Sequence, residues 1–414
     1  MASIGQMQAE GLGDPLYPEN GDGPNYSIPK TWHSQKTKLR VACIGAGPSG
    51  LCLAYKMERQ MQPGTWELTI YEKNPAEGGT WYENKYPGCA CDIPAHIYTY
   101  SWDPQPDWST FYAYSPEILE YFKKFSDKHD LHHYVQLNSQ IISAAWNDQE
   151  GKYNLIIRNP QTGEEREDWS HVLVNATGNL NKWKWPEIEG LHDFAGPKMH
   201  SATWDESVDF KDKTVAIIGT GSTAIQIVPK LQKVAKKLEL FMRSPTWISP
   251  PFGDAVLKED VRDGKEEDMA NRQYYFSEEE KRKFREDPEG HLFLRQKIEA
   301  EINLLFPFYT RGTPLQKKMH QQMRAEMEKR IGPGHDELKK NLIPEWLPGC
   351  RRITPGDGYL ESLVKSNVNC VFQGIQKITP DGLIDDAGEF HPVDILVCAT
   401  GVCHVDPAIE AHEY

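Results

Sequence analysis

The chain has 414 residues, 26% of them charged and 39% apolar, with a formal charge of −14 at pH 7. That length can bury a sizeable core in more than one domain, and the acidic balance argues against nucleic acid or an anionic membrane as the main partner. No apolar run approaches the roughly 20 residues of a membrane-spanning helix, and residues 1–37 carry neither a secretory nor a transit-type pattern.

Those first residues are rich in Pro, Gly, Asn and Gln and read as a mobile polar extension. The eight cysteines are scattered, and Cys43 and Cys398 fall inside apolar runs, where the thiol acts as a small hydrophobe. A reduced, cytoplasmic protein fits this usage better than a disulfide framework. Cys89 and Cys91 form a C-x-C pair with no second pair at a zinc-like spacing, so no metal site is expected.

The first organised stretch is LRVACI, 39–44, an apolar strand that runs into GAGPSG and then into the helical pattern LCLAYKMERQ. A second strand, WELTIYEK, follows and carries Glu72 at its end, next to Lys73. Strand, glycine turn, helix, strand and acid in this order is a dinucleotide-binding unit. Gly45, Gly47, Pro48, Ser49 and Gly50 are the candidate phosphate cradle, at a helix N-terminus with free N–H groups. Glu72 is placed to take ribose hydroxyls, which favours an unphosphorylated adenosine such as that of FAD or NAD.

The unit recurs at TVAII, 214–218, leading into GTGSTA, the helical IQIVPKLQKVAKK and the strand LELFMRS. Its candidate cradle is Gly219, Thr220, Gly221, Ser222, Thr223, Ala224, Ile225 and Gln226. Here the second strand ends in Arg243 and Ser244 in place of an acid, a pair suited to the 2′-phosphate of NADP(H). Two such units with opposite ribose preference point to a flavin enzyme reduced by NADPH. VLVNATG, 172–178, and DILVCATG, 394–401, are buried strands with glycine turns, and residues 251–342 read as a charged helical insertion.

FAGPKMHSATWD, 194–205, lies between the two glycine loops. Its Phe194, Gly196, His200, Trp204 and Asp205 resemble the FxGxxxHxxxW-[P/D] fingerprint of Baeyer–Villiger monooxygenases, where the motif links the FAD and NADPH domains. GGTWYENKYPGCACDIPAHIYTYSW, 78–102, is similar to the flavin-side segment of that family, and its two cysteines resemble fungal members of aromatic polyketide pathways. The resemblance implies that Thr80, Trp81, Tyr82, Glu83 and Tyr98 lie along FAD, and that Ala90, Cys91 and Asp92 reach the nicotinamide side. LPGCRRITPGDGYLESL, 347–363, resembles the segment with two adjacent basic residues, which gives Arg351 an NADP-phosphate role and Arg352 a catalytic one, with Asp92 holding Arg352. It also implies that the two Ala-Thr-Gly strand ends mark crossings between the domains.

The expected fold is therefore α/β, with two Rossmann-like dinucleotide-binding domains (FAD and NADPH) and a helical insertion. The expected division is a first FAD part at 38–185, NADP parts at 186–250 and 343–394 around the insertion, and a return to an incomplete FAD domain at 395–414. The implied reaction inserts one oxygen atom of O₂ beside a ketone carbonyl through a flavin C4a-peroxide, in secondary metabolism. The partners are a small ketone and O₂, with no nucleic acid and no membrane insertion. Since the chain ends soon after the second Ala-Thr-Gly, a product shortened at its C-terminus is expected. A heteroatom-oxygenating flavin monooxygenase and a non-catalytic nucleotide-binding remnant are the alternatives. No C-x-x-C lies at either loop, which argues against a disulfide reductase.

Overall fold

The computed structural model describes residues 38–249, 253, 256, 273–351 and 353–403. The N-terminal extension, most of DAVLKEDVRDGKEEDMANRQ, Arg352 and the final eleven positions lie outside the described residues.

The first unit is built on β1 (Leu39–Ile44), α1 (Pro48–Gln60) and β2 (Trp66–Tyr71), followed by α2 (Thr80–Glu83) and α3 (Ser115–Lys128). Strands β3 (Val135–Gln136) and β7 (Val172–Asn175) complete a four-stranded parallel sheet of order β3-β2-β1-β7. An antiparallel sheet, β4 (Gln140–Asn147), β5 (Lys152–Arg158) and β6 (Glu165–Ser170), is inserted before β7. β1 pairs in parallel with both β2 and β7, so its middle is buried and reads as a continuous apolar run.

After β8 (Lys182–Trp183) the chain enters a second parallel sheet of order β14-β11-β10-β18-β9. Its strands are β9 (Lys198–His200), β10 (Thr214–Ile218) and β11 (Lys237–Phe241), with α4 (Ser222–Leu231) after the second glycine loop. A short β12 (Ile248–Ser249) precedes helices α5 (Glu278–Glu286), α6 (Pro288–Asn303), α7 (Pro314–Ile331) and α8 (Asp336–Leu342). The chain returns through β13 (Thr354–Pro355), α9 (Tyr359–Leu363) and β14 (Val368–Val371). A small antiparallel sheet, β15 (Ile375–Thr379), β16 (Gly382–Asp385) and β17 (Phe390–Pro392), leads to β18 (Ile395–Cys398) and β19 (Val402–Cys403). The architecture is the expected α/β one, two Rossmann-like units with a helical insertion.

One expected boundary moves. Residues 395–398 belong to the second unit and not, as the sequence suggests, to the first, since β18 is an inner strand of the second sheet, paired with β10 on one side and β9 on the other. All four of its residues are buried, Ile395 and Val397 in the core that holds Ile225 and Val228 of α4, and Leu396 and Cys398 in the cluster of Ile378 and Leu383 from β15 and β16. The passage out of the second unit begins only at Ala399. Likewise the strand before Arg243 stops at Phe241, leaving Arg243 and Ser244 in the turn beyond it.

The helical unit is docked on the first unit, with residues 274–276 lying alongside 109–111 through Phe111 N–H to Tyr274 O and Phe276 N–H to Ser109 O. Beside this seam His96 and His291, both buried, share a hydrogen bond of 2.8 Å between Nδ1 and Nε2. The Arg295 Nε–H donates to the His96 carbonyl. Burial, followed by the charge of its neighbours, pulls His96 down to about 3, and burial with Arg295 pulls His291 down to about 4, from an ordinary 6.5. Both rings are therefore neutral in the fold, while the unfolded chain takes up protons below about 6.5. The stabilisation they give is fully present above that pH and is lost as pH falls toward their folded values. Thermal melts between pH 7 and pH 4 should show a steep acid limb that His291→Leu flattens, together with a lower melting temperature at neutral pH. An acid limb of unchanged slope in that variant would rule the pair out as its source.

Candidate dinucleotide sites

The first glycine loop is shaped by three close approaches. Gly45 has φ +101°, and an added Cβ would stand 2.8 Å from the Ala176 carbonyl oxygen. Gly47 faces Gly79, a residue outside the expected cradle, across 3.5 Å from its would-be Cβ to the Gly79 Cα. A Cβ on Gly50 would lie 2.1 Å from the Gly45 oxygen, so α1 packs on β1 only because no side chain intervenes. Helix α1 starts from Gly47 with no side-chain cap, leaving N–H groups of its first turn unpaired and the positive end of its dipole open. Ser49 is exposed at this rim, beside Pro48 in the first turn.

Glu72 is buried at the end of β2. Its Oε2 accepts from the Ala46 N–H at 2.8 Å, and its Oε1 accepts from the backbone and side-chain amides of Asn74. Burial pushes its carboxyl above the usual range, and the Asn74 and Ala46 bonds pull the other way. A carboxylate has about four lone-pair sites, so three donors leave one acceptor position. Glu83 joins this end through an ion pair with Lys73 at 2.8 Å and a bond from the Asn181 side chain at 3.1 Å, tying the first crossing to the first unit.

Along the flavin-side segment, Thr80 is exposed at the start of α2 and Tyr82 carries the Lys85 ammonium over its ring at 4.9 Å. Trp81 is buried against Tyr98 in an edge contact with centroids 5.5 Å apart. The Trp81 indole N–H is buried without a hydrogen-bond partner, a donor of the kind a bound polar group would satisfy. Asp92 is half-buried, and its charge adds to the burial that pushes the Tyr309 phenol up. Cys89 and Cys91 are buried and in no disulfide, and burial raises Cys89. Cys43 and Cys398, inside β1 and β18, are pushed up to about 12 by the same cause.

The second loop repeats the design. Gly219 has φ +125°, and its would-be Cβ falls 2.3 Å from the Ala399 oxygen. Each Ala-Thr-Gly strand end thus presses its alanine carbonyl onto the first glycine of one loop. Gly221 is open, with nothing within 4 Å of an added Cβ, and it starts α4 without a side-chain cap. Thr220 Oγ1 donates to the Ser244 carbonyl, and Ser222 and Thr354 share a hydroxyl bond of 2.6 Å. Thr223 is half-buried in the first turn, and Ala224 fills the third-glycine position, fully buried.

Two members of the expected cradle point elsewhere. Ile225 is buried and its N–H donates to the Gly221 carbonyl within the helix, so neither reaches the open face. The Gln226 amide is spent on Tyr86 and the Ala90 carbonyl.

Arg243 is exposed in an open cleft of about 310 Å³ that it shares with Lys340, Asn341, Glu345, Trp346 and Phe372. The Arg351 guanidinium stacks over the ring of Trp346, one of the residues lining this cleft, at 4.7 Å. Lys340 and Trp346 carry no motif and stand about a hundred residues from Arg243, which hides them from sequence reading. Arg352, the expected catalytic cation, lies outside the described residues.

FAGPKMHSATWD forms the edge of the second sheet. Phe194 is buried in that unit's core, and Gly196 is pressed on the Asp394 carbonyl, 2.4 Å from its would-be Cβ. His200 is buried with its ring stacked 4.8 Å from Trp183, its Nδ1 accepts from the Ala202 N–H, and burial lowers it. Trp204 stacks on Phe210, and Asp205 caps the turn at Ser207. The two crossings run together here, because β8 pairs with β19 through Trp183 and Val402.

A paired-loop α/β architecture of this kind suits a protein that holds two dinucleotides, and comparison with known proteins narrows it. The family described as flavin-binding monooxygenase-like matches residues 38–260. The FAD-binding monooxygenase tazF of Aspergillus terreus is 42% identical over 364 residues, covering 88% of this chain and 63% of that protein. A Baeyer–Villiger monooxygenase of Pseudomonas aeruginosa is 31% identical over 368 residues, covering 89% and 64%. Cyclohexanone monooxygenase from Rhodococcus sp. Phi1, solved bound to NADP⁺, superposes with a TM-score of 0.71 at 25% identity, covering 89% of this chain and 71% of that one. The chain belongs to the flavin-binding monooxygenase-like family. It spans about three fifths of the length of the curated relatives it matches. Among the described residues no helix is long and apolar enough to cross a membrane.

Proposed function

We propose that the chain acts as an FAD- and NADPH-dependent monooxygenase of Baeyer–Villiger type, inserting one atom of O₂ beside a ketone carbonyl to give an ester or lactone, in secondary metabolism. The observation that carries this reading is the presence in one chain of two uncapped glycine-loop helices, the first followed by a buried acid and the second by a cationic cleft. The residues fit the groups. The first turn of α1 would bind the FAD pyrophosphate, with Glu72 on the adenosine ribose and the Trp81 N–H on a polar edge of the cofactor. The first turn of α4 would bind the NADPH pyrophosphate, with Arg243, Lys340 and Arg351 around the 2′-phosphate. When bound, the flavin takes hydride from NADPH and activates O₂.

The protein's own part is then electrostatic. Negative charge that develops at the reacting oxygen is costly in a desolvated site without a cation beside it. Arg352 would supply that cation by preorganisation, with the Asp92 carboxylate as the group that orients it. Exposing the purified chain to a ketone, NADPH and isotopically labelled O₂ should give an ester or lactone carrying one labelled atom. A labelled sulfoxide or N-oxide from a thioether or amine, with the ketone untouched, would overturn the reaction type in favour of heteroatom oxygenation.

A further inference from the structure

The flavin-side segment and the second nucleotide helix are joined by one side chain. Gln226 lies just over a turn beyond the N-terminus of α4 and is half-buried. Its carbonyl Oε1 accepts from the Tyr86 hydroxyl at 2.8 Å, and its amide Nε2 donates to the Ala90 carbonyl at 2.9 Å. The orientation is determined by chemistry, since the Ala90 oxygen can only accept. The surrounding contacts make the joint tight. A Cβ on Gly88 would stand 2.5 Å from the Gln226 carbonyl oxygen and 3.1 Å from the stem of Lys230. Lys230, four residues on and therefore on the same helix face, places its ammonium over the Tyr114 ring at 5.3 Å. Tyr114 in turn pairs with Ala90 as an antiparallel bridge.

We infer that Gln226 is a positioning residue that couples the second glycine loop to the first site, by clamping Tyr86 and Ala90 to the helix on which the nicotinamide dinucleotide would sit. The inference rests on the proposed two-dinucleotide reading. Ala90 leads directly into Cys91 and Asp92, so any displacement of α4 when its N-terminus is loaded would be passed by two hydrogen bonds to the residues expected on the nicotinamide side of the flavin. Linkage requires the effect to be mutual: flavin binding should tighten NADP⁺ binding by the factor with which NADP⁺ tightens flavin binding.

The test is titration of the purified chain with NADP⁺ in its FAD-loaded and FAD-free forms. In the wild type, affinity should be higher with FAD bound. Gln226→Leu and Tyr86→Phe should each cut that ratio by about fivefold or more, the range of a half-buried hydrogen bond, and the double variant should lose little beyond either single. Tyr86→Phe removes one hydroxyl only and carries the test if Gln226→Leu does not fold. An unchanged ratio, or an equal fall in NADP⁺ affinity in both flavin states, overturns the coupling and leaves a structural contact. A wild type that binds both cofactors without coupling overturns this inference alone. A wild type that binds neither overturns the proposed function and this inference with it.

Discussion

Replacing Gly50 with alanine is expected to lower the stability of the first unit by about 3 kcal/mol or more and to strip the chain of flavin. The added methyl group would stand 2.1 Å from the Gly45 carbonyl oxygen, a distance no Cβ adopts. The obstructing atom is backbone, in a glycine whose own φ of +101° is imposed by the turn, and it cannot rotate aside as a flexible side chain would. Either α1 lifts from β1 or the loop deforms, and both displace the uncapped N–H groups of the helix start. Helix α1 buries Gly50, Leu51, Ala54 and Met57 against the sheet, so lifting it also uncovers core. Calorimetry and the visible flavin absorbance of the purified variant would check both effects. A Gly50→Ala protein with wild-type melting and full flavin content would show that the loop has slack which the observed contact denies.

Gly221→Ala should behave in the opposite way, retaining the fold and losing the ligand. Its φ of −77° suits any residue, and a Cβ there meets nothing within 4 Å. The loss of helix-start preference and the gain from a less flexible unfolded chain are each about 1 kcal/mol or less, so stability should barely move. The methyl group would occupy the side from which a pyrophosphate approaches the backbone, and NADP⁺ affinity should drop on the order of tenfold or more, about 1.4 kcal/mol. Equilibrium binding with the melting temperature as control distinguishes the outcomes. Unchanged affinity would place the nicotinamide dinucleotide away from this loop. The contrast between the two glycines is the sharper test, since one is closed by backbone and the other is open.

Much of this architecture is legible in local sequence. Leu39–Ile44 and Thr214–Ile218 are short apolar runs ending in glycines, and strand, turn and helix follow from residues adjacent in the chain. The helix starts of the insertion are equally local, as in the capping box of Ser277 and Glu280. What the sequence hides is pairing at a distance. Ile395–Cys398 reads as a buried strand whichever sheet receives it, and only the register with Val215–Ile218 assigns it to the second. Ala176 and Ala399 stand in visibly similar strings, but the pressure of their carbonyls on Gly45 and Gly219 appears only in three dimensions. Gln226 sits at a position that reads as part of a phosphate cradle, and its partners Tyr86 and Ala90 are 140 and 136 residues away. Lys340 reaches the Arg243 cleft by way of a helical insertion that has no motif of its own.

The most direct measurement is the visible spectrum of the purified chain, supplied with FAD, before and after NADPH is added without oxygen. Retained flavin that bleaches with NADPH far faster than with NADH, and recovers in air, is the expected result, because two dinucleotides must then meet on a single polypeptide that tells a 2′-phosphate from a hydroxyl. A colourless protein that retains neither FAD nor NADP⁺ would contradict it.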